Sequence, residues 1–167
     1  DTGEKKWSFK SGEDPAIHNQ VGFQSSAAVV DGTVYVGCRD AHVYAIDAVS
    51  GELAWRQRVD DHPNATITGT PALHDGRLYV PVSSLEVALA VDPRYACCKA
   101  TSAVAAYDAA TGYLLWKTPT IAQPAVVQSQ NRSGTDMYGP SGATVWNTPT
   151  IDAALEAGFA PIKINMV

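Results

Sequence analysis

The chain has 167 residues, 46% of them apolar and 17% charged, with a formal net charge of -5. That length suffices for one domain with a real core, and the composition excludes a disordered chain. The weak acidic balance and scattered Lys and Arg exclude a nucleic-acid or acidic-membrane surface, and no apolar run approaches the roughly 20 residues of a membrane span.

Taken in order, the chain repeats itself. Gly3 precedes Trp7, Gly51 precedes Trp55 and Gly112 precedes Trp116 at one spacing, giving TGEKKW, SGELAW and TGYLLW. Ahead of the second and third copies, SSAAVVDGTVYVG (25–37) is answered by GTPALHDGRLYVP (69–81), and VYAIDAVSG (43–51) by VAAYDAATG (104–112). Asp31-Gly32 joins the β-rich runs Ala27–Val30 and Thr33–Val36, a strong hairpin signal. A third strand is predicted over His42–Ile46 and, after the turn at Val49-Ser50-Gly51, a fourth over Leu53–Val59. Four antiparallel strands followed by a restart is the pattern of a propeller blade. The expected fold is therefore all-β: a partial β-propeller with four-stranded blades at about 25–59 and 69–120, flanked by partial blades. In it, Trp7, Trp55 and Trp116 plug the gaps between blades, each burying roughly 150–250 Å². A fourth start, NTPTID (Asn147–Asp152), breaks off. Residues 1–152 thus form the repeat domain, and 153–167 a tail outside the pattern in which Ala153–Ala157 could form one helical turn.

Only the second copy carries an insertion, the stretch Pro81–Tyr107 with Cys97 and Cys98 in its middle. A trans peptide would hold their Cα atoms about 3.8 Å apart, whereas common disulfides span roughly 4.4–6.8 Å. A bond between them closes an eight-membered ring and tethers no loop, so it does almost nothing to the unfolded chain. Two readings stand at this point: a ring kept for its shape or redox chemistry, or two reduced, buried thiols acting as small hydrophobes. The third cysteine, Cys38, lies in a strand-like run, and three cysteines do not fix the compartment. His18, His42, His62 and His74 show no metal-ligand spacing. The stretch Gln128–Trp146, rich in Gly, Ser and Asn, is expected to be a long functional loop.

The unit V-D-G-x-V-Y-V-G…V-Y-A-I-D-A-x-S-G-E-L-x-W resembles the repeat of pyrroloquinoline quinone (PQQ) dehydrogenases, whose catalytic domain is an eight-bladed propeller. PVSSLEVALAVDPRYACC followed by AYDAATGYLLW, together with HNQVGFQSSAAV (18–29) and YGPSGATVWNTPTID (138–152), is similar to the subgroup typified by polyvinyl alcohol dehydrogenase. The likeness covers residues 1 to about 152. It implies a piece of a longer periplasmic or secreted enzyme, inactive alone, that oxidises secondary alcohol groups and passes electrons to a cytochrome c. It implies further that Cys97 and Cys98 form a vicinal disulfide lying flat against one face of PQQ. Glu86 matches an acidic position near the cofactor, against the alternative of a solvated loop carboxylate. Relatives place an arginine a few residues after their cysteines to meet a quinone carboxylate. Here Lys99 is the nearby cation, and it cannot reproduce a bidentate guanidinium. Asn131, Arg132, Ser141 and Trp146 are candidates to face the cofactor, each against a plain loop or core role. Ca²⁺ is implied with ligands from outside this chain. No catalytic base is assigned, since Asp136 and Asp152 match no catalytic motif. The rival function is a cofactor-free repeat scaffold that binds proteins in outer-membrane assembly.

Overall fold

The computed structural model describes residues 2–12, 14–18 and 22–151. The turn expected over Ala153–Ala157 lies outside them. Eleven strands and one short helix are found among the described residues, and no helix there is long and apolar enough to cross a membrane.

The first sheet is an antiparallel meander of β1 (Ala28–Val30), β2 (Thr33–Gly37), β3 (His42–Asp47) and β4 (Leu53–Arg58). Asp31 (φ 48°) and Gly32 (φ 76°) both take the left-handed region, as a two-residue hairpin turn between twisted strands demands. The second sheet repeats the plan. Here β5 (Ala65–Thr66) and β6 (Ala72–His74) both pair with β7 (Arg77–Ser84), which is followed by β8 (Ala103–Asp108) and β9 (Leu114–Pro119). Asp75-Gly76 forms the matching turn. Strand β7 runs through Pro81 to Ser84, so the insertion is shorter than the sequence suggests and occupies 85–102. Proline is tolerated in this central strand because β6 pairs residues 77–79 and β5 pairs 83–84. Pro81 therefore faces the gap between them and bonds only toward Val104 on β8.

One core joins the two sheets, with Tyr35, Val43 and Ala45 of the first packed with Leu78, Val80, Ala105 and Tyr107 of the second. The Tyr35 hydroxyl crosses between them to donate to the Ala109 carbonyl at 3.2 Å. The tryptophans act as expected where a receiving turn is present. Trp7 Nε1–H donates to the Ala48 carbonyl and Trp55 Nε1–H to the Ala109 carbonyl, each at 3.0 Å, while their rings cover Gly51 and Gly112. A Cβ on Gly112 would stand 2.7 Å from the Trp55 ring, and φ there is 73°. Gly112→Ala is therefore expected to destabilise by about 1–3 kcal/mol in chemical denaturation, combining backbone strain with a clash. Gly134→Ala, also left-handed but with open space around it, should lose clearly less.

A second cluster, Val36, Cys38, Tyr44 and Ile46, packs under Trp7 and Phe9. Its polar side is closed by Asp40, which accepts from the His42 backbone N–H at 2.9 Å and from the Tyr44 hydroxyl. Burial alone would raise the Asp40 carboxyl, but hydrogen bonds from His42, Tyr44 and Cys38 outweigh it and hold it below the usual range. Burial pushes the Cys38 thiol up to about 11, which leaves it a structural hydrophobe.

The stretch read as a long loop contains a hairpin, β10 (Val126–Gln130) with β11 (Asp136–Gly139). Its first strand, VVQSQ, is exposed throughout and its second, DMYG, half-buried throughout, so neither shows the apolar alternation by which a half-buried strand is recognised.

Candidate functional site

The insertion leaves β7 at Ser84, whose hydroxyl accepts the Glu86 N–H at 3.0 Å and so starts α1 (Glu86–Leu89). Glu86 is 3% exposed, which overturns the reading of a solvated carboxylate. Its side chain points back under the loop. It accepts from the Lys99 N–H at 2.9 Å on both oxygens, from the Ala100 N–H at 2.7 Å and from the Tyr95 hydroxyl at 2.9 Å. His62 Nε2 stands 3.7 Å away. Burial, together with the hydrogen bond and charge of Glu86, pushes the Tyr95 phenol up to about 12. Glu86 is thus the anchor that shapes the turn just after the cysteines.

Cys97 and Cys98 are joined by a disulfide, which settles the two readings left open by the sequence. Their peptide is cis and not trans, with Cα atoms 3.0 Å apart. Cys97 is buried and Cys98 half-buried. The pair is held from above by the segment that follows β10: Tyr138 N–H donates to the Cys97 carbonyl at 2.6 Å, and Gly142 N–H to the Ala100 carbonyl at 3.0 Å. Asn131 and Thr135 at the hairpin tip both reach the Pro93 carbonyl at 2.7 Å.

Between these walls lies a cleft of about 210 Å³, lined by Ser84, Glu86, Val87, Cys98, Ser102, Ser141 and Thr144 among others. Sequence reasoning missed a row of hydroxyls beside it. Thr66 lies directly opposite Ser83 across β5 and β7, and the pairing of Val82 with Ala103, carried one residue further, sets Ser102 beside Ser83. All three hydroxyl oxygens are buried without a hydrogen-bond partner. A buried hydroxyl left unpaired is destabilising, and Ser102, the one of the three that lines the cleft, marks a place where a polar group belongs. No sequence motif points to them, because Ser and Thr in strands are common.

The other sequence candidates fall as follows. Ser141 lines the cleft. The Lys99 side chain lies with its ammonium 4.3 Å over the Tyr138 ring, beside the disulfide loop. Asn131 closes the hairpin turn by accepting from Ser133 and Thr135 N–H, and Arg132 is exposed. Trp146 is 38% exposed and does not line the cleft; its carbonyl accepts from Thr68 at 3.4 Å. Among the described residues, the grouping closest to a metal site is Glu86 with Cys97 and Cys98. The two sulfurs are bonded to each other and the carboxylate is taken by three donors, so it offers no hard oxygen set for Ca²⁺.

Comparison with known proteins gives this geometry a context. Residues 1–145 match the model of the PQQ_2 family, described as outer membrane protein assembly factor BamB. The polyvinylalcohol dehydrogenase of a Pseudomonas species is 41% identical over 108 residues, covering 65% of this chain and 17% of that protein. The enzyme of that name from Sphingopyxis is 44% identical over 110 residues, covering 66% and 17%. The crystal structure of quinohemoprotein alcohol dehydrogenase from Comamonas testosteroni superposes with a TM-score of 0.58 at 25% identity, covering 92% of this chain and 24% of that one. The chain spans about a sixth of the length of the two polyvinylalcohol dehydrogenases.

Proposed function

From the premise that this chain belongs to the PQQ_2 repeat family and has dehydrogenase relatives, we propose that it contributes the cofactor wall of a PQQ-dependent alcohol dehydrogenase. The observation that carries the reading is the disulfide of Cys97 and Cys98 at a cleft whose lining includes Cys98 and the buried, unpartnered hydroxyl of Ser102. The residues present fit the quinone. Cys98, bonded to the buried Cys97, offers an apolar surface for a ring face, and the hydroxyls of Ser102, Ser84, Ser141 and Thr144 in the cleft lining offer hydrogen-bond partners for a polar edge. Lys99 supplies a positive charge beside the disulfide loop for a quinone carboxylate. Glu86 works through the loop, by fixing the backbone at Lys99 and Ala100. Trp146, 38% exposed and outside the lining of this cleft, is kept as a candidate to face the cofactor from another side. When bound, PQQ supplies a two-electron acceptor.

The reaction converts a secondary alcohol, in polyvinyl alcohol or a similar substrate, to the ketone, releasing two protons and two electrons; the electrons pass on to a cytochrome c. No step is assigned to Ca²⁺, for which the described residues hold no ligand set. The disulfide favours an oxidising compartment such as the periplasm. The scaffold alternative accords with the description of the family model, but it gives the disulfide no use. The test mixes PQQ and Ca²⁺ with the full-length protein that contains this chain. Bound-quinone absorbance that changes on adding a secondary alcohol is expected. Its absence, in folded protein, would favour the scaffold.

A further inference from the structure

Glu86, Cys97 and Cys98 bring one carboxylate and two sulfurs within 4.8 Å of one another, with Glu86 and Cys97 buried. While the sulfurs are bonded to each other they have little to offer an ion. Reduction leaves two thiols side by side on a backbone that other groups hold: Tyr138 N–H on the Cys97 carbonyl and Gly142 N–H on the Ala100 carbonyl, whatever the state of the sulfurs. Cys98 is half-buried and lines the cleft, so a reductant reaches its sulfur from there. The carboxylate also has room for an ion. Lys99 N–H is shared between both of its oxygens at 2.9 Å, whereas the Tyr95 hydroxyl binds one oxygen and Ala100 N–H the other. One oxygen can therefore yield Lys99 to its twin and leave no donor unpaired. His62 Nδ1 accepts from Asn64 N–H at 3.2 Å, so in the neutral ring Nε2 carries the proton, and it faces Glu86 at 3.7 Å.

We propose that the reduced form of this loop binds a thiophilic divalent cation of the zinc type, held by the Cys97 and Cys98 thiolates and one Glu86 oxygen. A dithiol or a phosphine gives two electrons to the bond between the sulfurs, which breaks and takes up two protons. The reductant becomes a disulfide or, with the oxygen of one water, a phosphine oxide. The cation then displaces the two thiol protons. Two sulfurs and one oxygen suit Zn²⁺, which takes a tetrahedral set of sulfur, nitrogen and oxygen and here keeps one position open to water from the cleft that Cys98 and Glu86 line. Ca²⁺ wants about six to eight oxygens and does not match this set. The proposal does not rest on the dehydrogenase reading, which uses the oxidised pair; ion and quinone belong to different redox states of the same residues. Reoxidation expels the ion, because sulfurs bonded to each other carry no charge to hold it.

The test uses the full-length protein, stripped of metal and quinone, reduced with a phosphine and offered Zn²⁺ without oxygen. The reduced parent should hold about one Zn²⁺ per chain more than either the unreduced parent or the reduced double variant Cys97→Ser with Cys98→Ser. The zinc-edge X-ray absorption difference should show sulfur at about 2.3 Å and oxygen at about 2.0–2.2 Å. Glu86→Gln, with its fold checked by circular dichroism, should weaken Zn²⁺ by roughly tenfold or more, since losing even a partner one step removed from a metal costs about that much. Tyr95→Phe removes only a donor that competes for the carboxylate, so its affinity should be equal or higher. Two titratable thiols without the extra ion would overturn the proposal, as would a bond that resists the phosphine in folded protein. Unchanged affinity in Glu86→Gln would overturn it too, as would an equal weakening in Tyr95→Phe, which would trace the loss to a loosened loop. If Glu86→Gln does not fold, the parent's absorption decides, and sulfur neighbours alone refute the carboxylate ligand. A parent that binds no PQQ yet gains this ion on reduction would sink the dehydrogenase reading and leave the metal site standing.

Discussion

Replacing Cys97 and Cys98 together by serine is expected to weaken PQQ retention by about ten- to hundredfold in the full-length protein, equivalent to roughly 1.4–2.8 kcal/mol. The cofactor-free protein should stay folded, its urea midpoint lowered only by the hydroxyl placed at the buried Cys97 position and not by the loss of a loop constraint. The two halves of that expectation have separate causes. The ring joins neighbours in sequence and so constrains no loop of the unfolded chain. The loop keeps its shape through backbone groups the substitution leaves in place: Tyr138 N–H on the Cys97 carbonyl, and Lys99 and Ala100 N–H on Glu86. What changes is the surface offered to the cofactor. Two linked sulfurs form one apolar plate, whereas two serine hydroxyls at a buried position need partners of their own. Quinone absorbance per folded molecule, read against the denaturation curve, separates the outcomes. Should the double variant unfold while cofactor per folded molecule stays constant, the pair is a packing element and the cofactor wall lies elsewhere.

The sheets were legible because their signals are local. Asp-Gly at 31–32 and 75–76 marks two-residue turns, and the Gly-to-Trp spacing marks the turn that each ring covers in the next sheet. The disulfide was legible only through resemblance, since adjacency alone favours a pair of reduced, buried thiols. Four features were hidden, for a physical reason each. Strand β7 passes through Pro81 because its outer partner is broken there, a fact about β5 and β6 that Pro81 cannot announce. In the β10–β11 hairpin the first strand is exposed and the second half-buried along their whole lengths, so neither carries an alternating pattern. The sequence leaves Glu86 even between a residue near the cofactor and a solvated loop carboxylate, because the donors that bury it arrive from residues 95–100, after the chain has doubled back. The row of Thr66, Ser83 and Ser102 exists only in cross-strand register.

Glu86→Ala is expected to lose about 2–5 kcal/mol of stability, because the Lys99 and Ala100 N–H groups and the Tyr95 hydroxyl would be left buried without an acceptor. Glu86→Gln should lose less, about 1–3 kcal/mol: its amide oxygen can still accept, but its NH₂ must face a backbone N–H that it cannot accept from. Both variants should also loosen the turn behind the disulfide and lower cofactor retention, so their order in stability and in retention should match. A second readout belongs to Glu86 alone. Tyr95, with a folded pKa of about 12 against an ordinary 10.0, is raised by burial and then by the Glu86 hydrogen bond and charge. A raised tyrosine stabilises the fold fully below pH 10 and loses that contribution as pH climbs through 12. In Glu86→Gln the charge is gone, so one tyrosine should ionise at lower pH in a spectrophotometric titration, and that part of the alkaline stability loss should shrink relative to the parent. Tyr44 and Tyr107, also raised by burial, keep their surroundings in both proteins, so the difference isolates Tyr95. Identical tyrosine titrations in parent and Glu86→Gln would mean that the carboxylate does not hold the loop as the geometry requires.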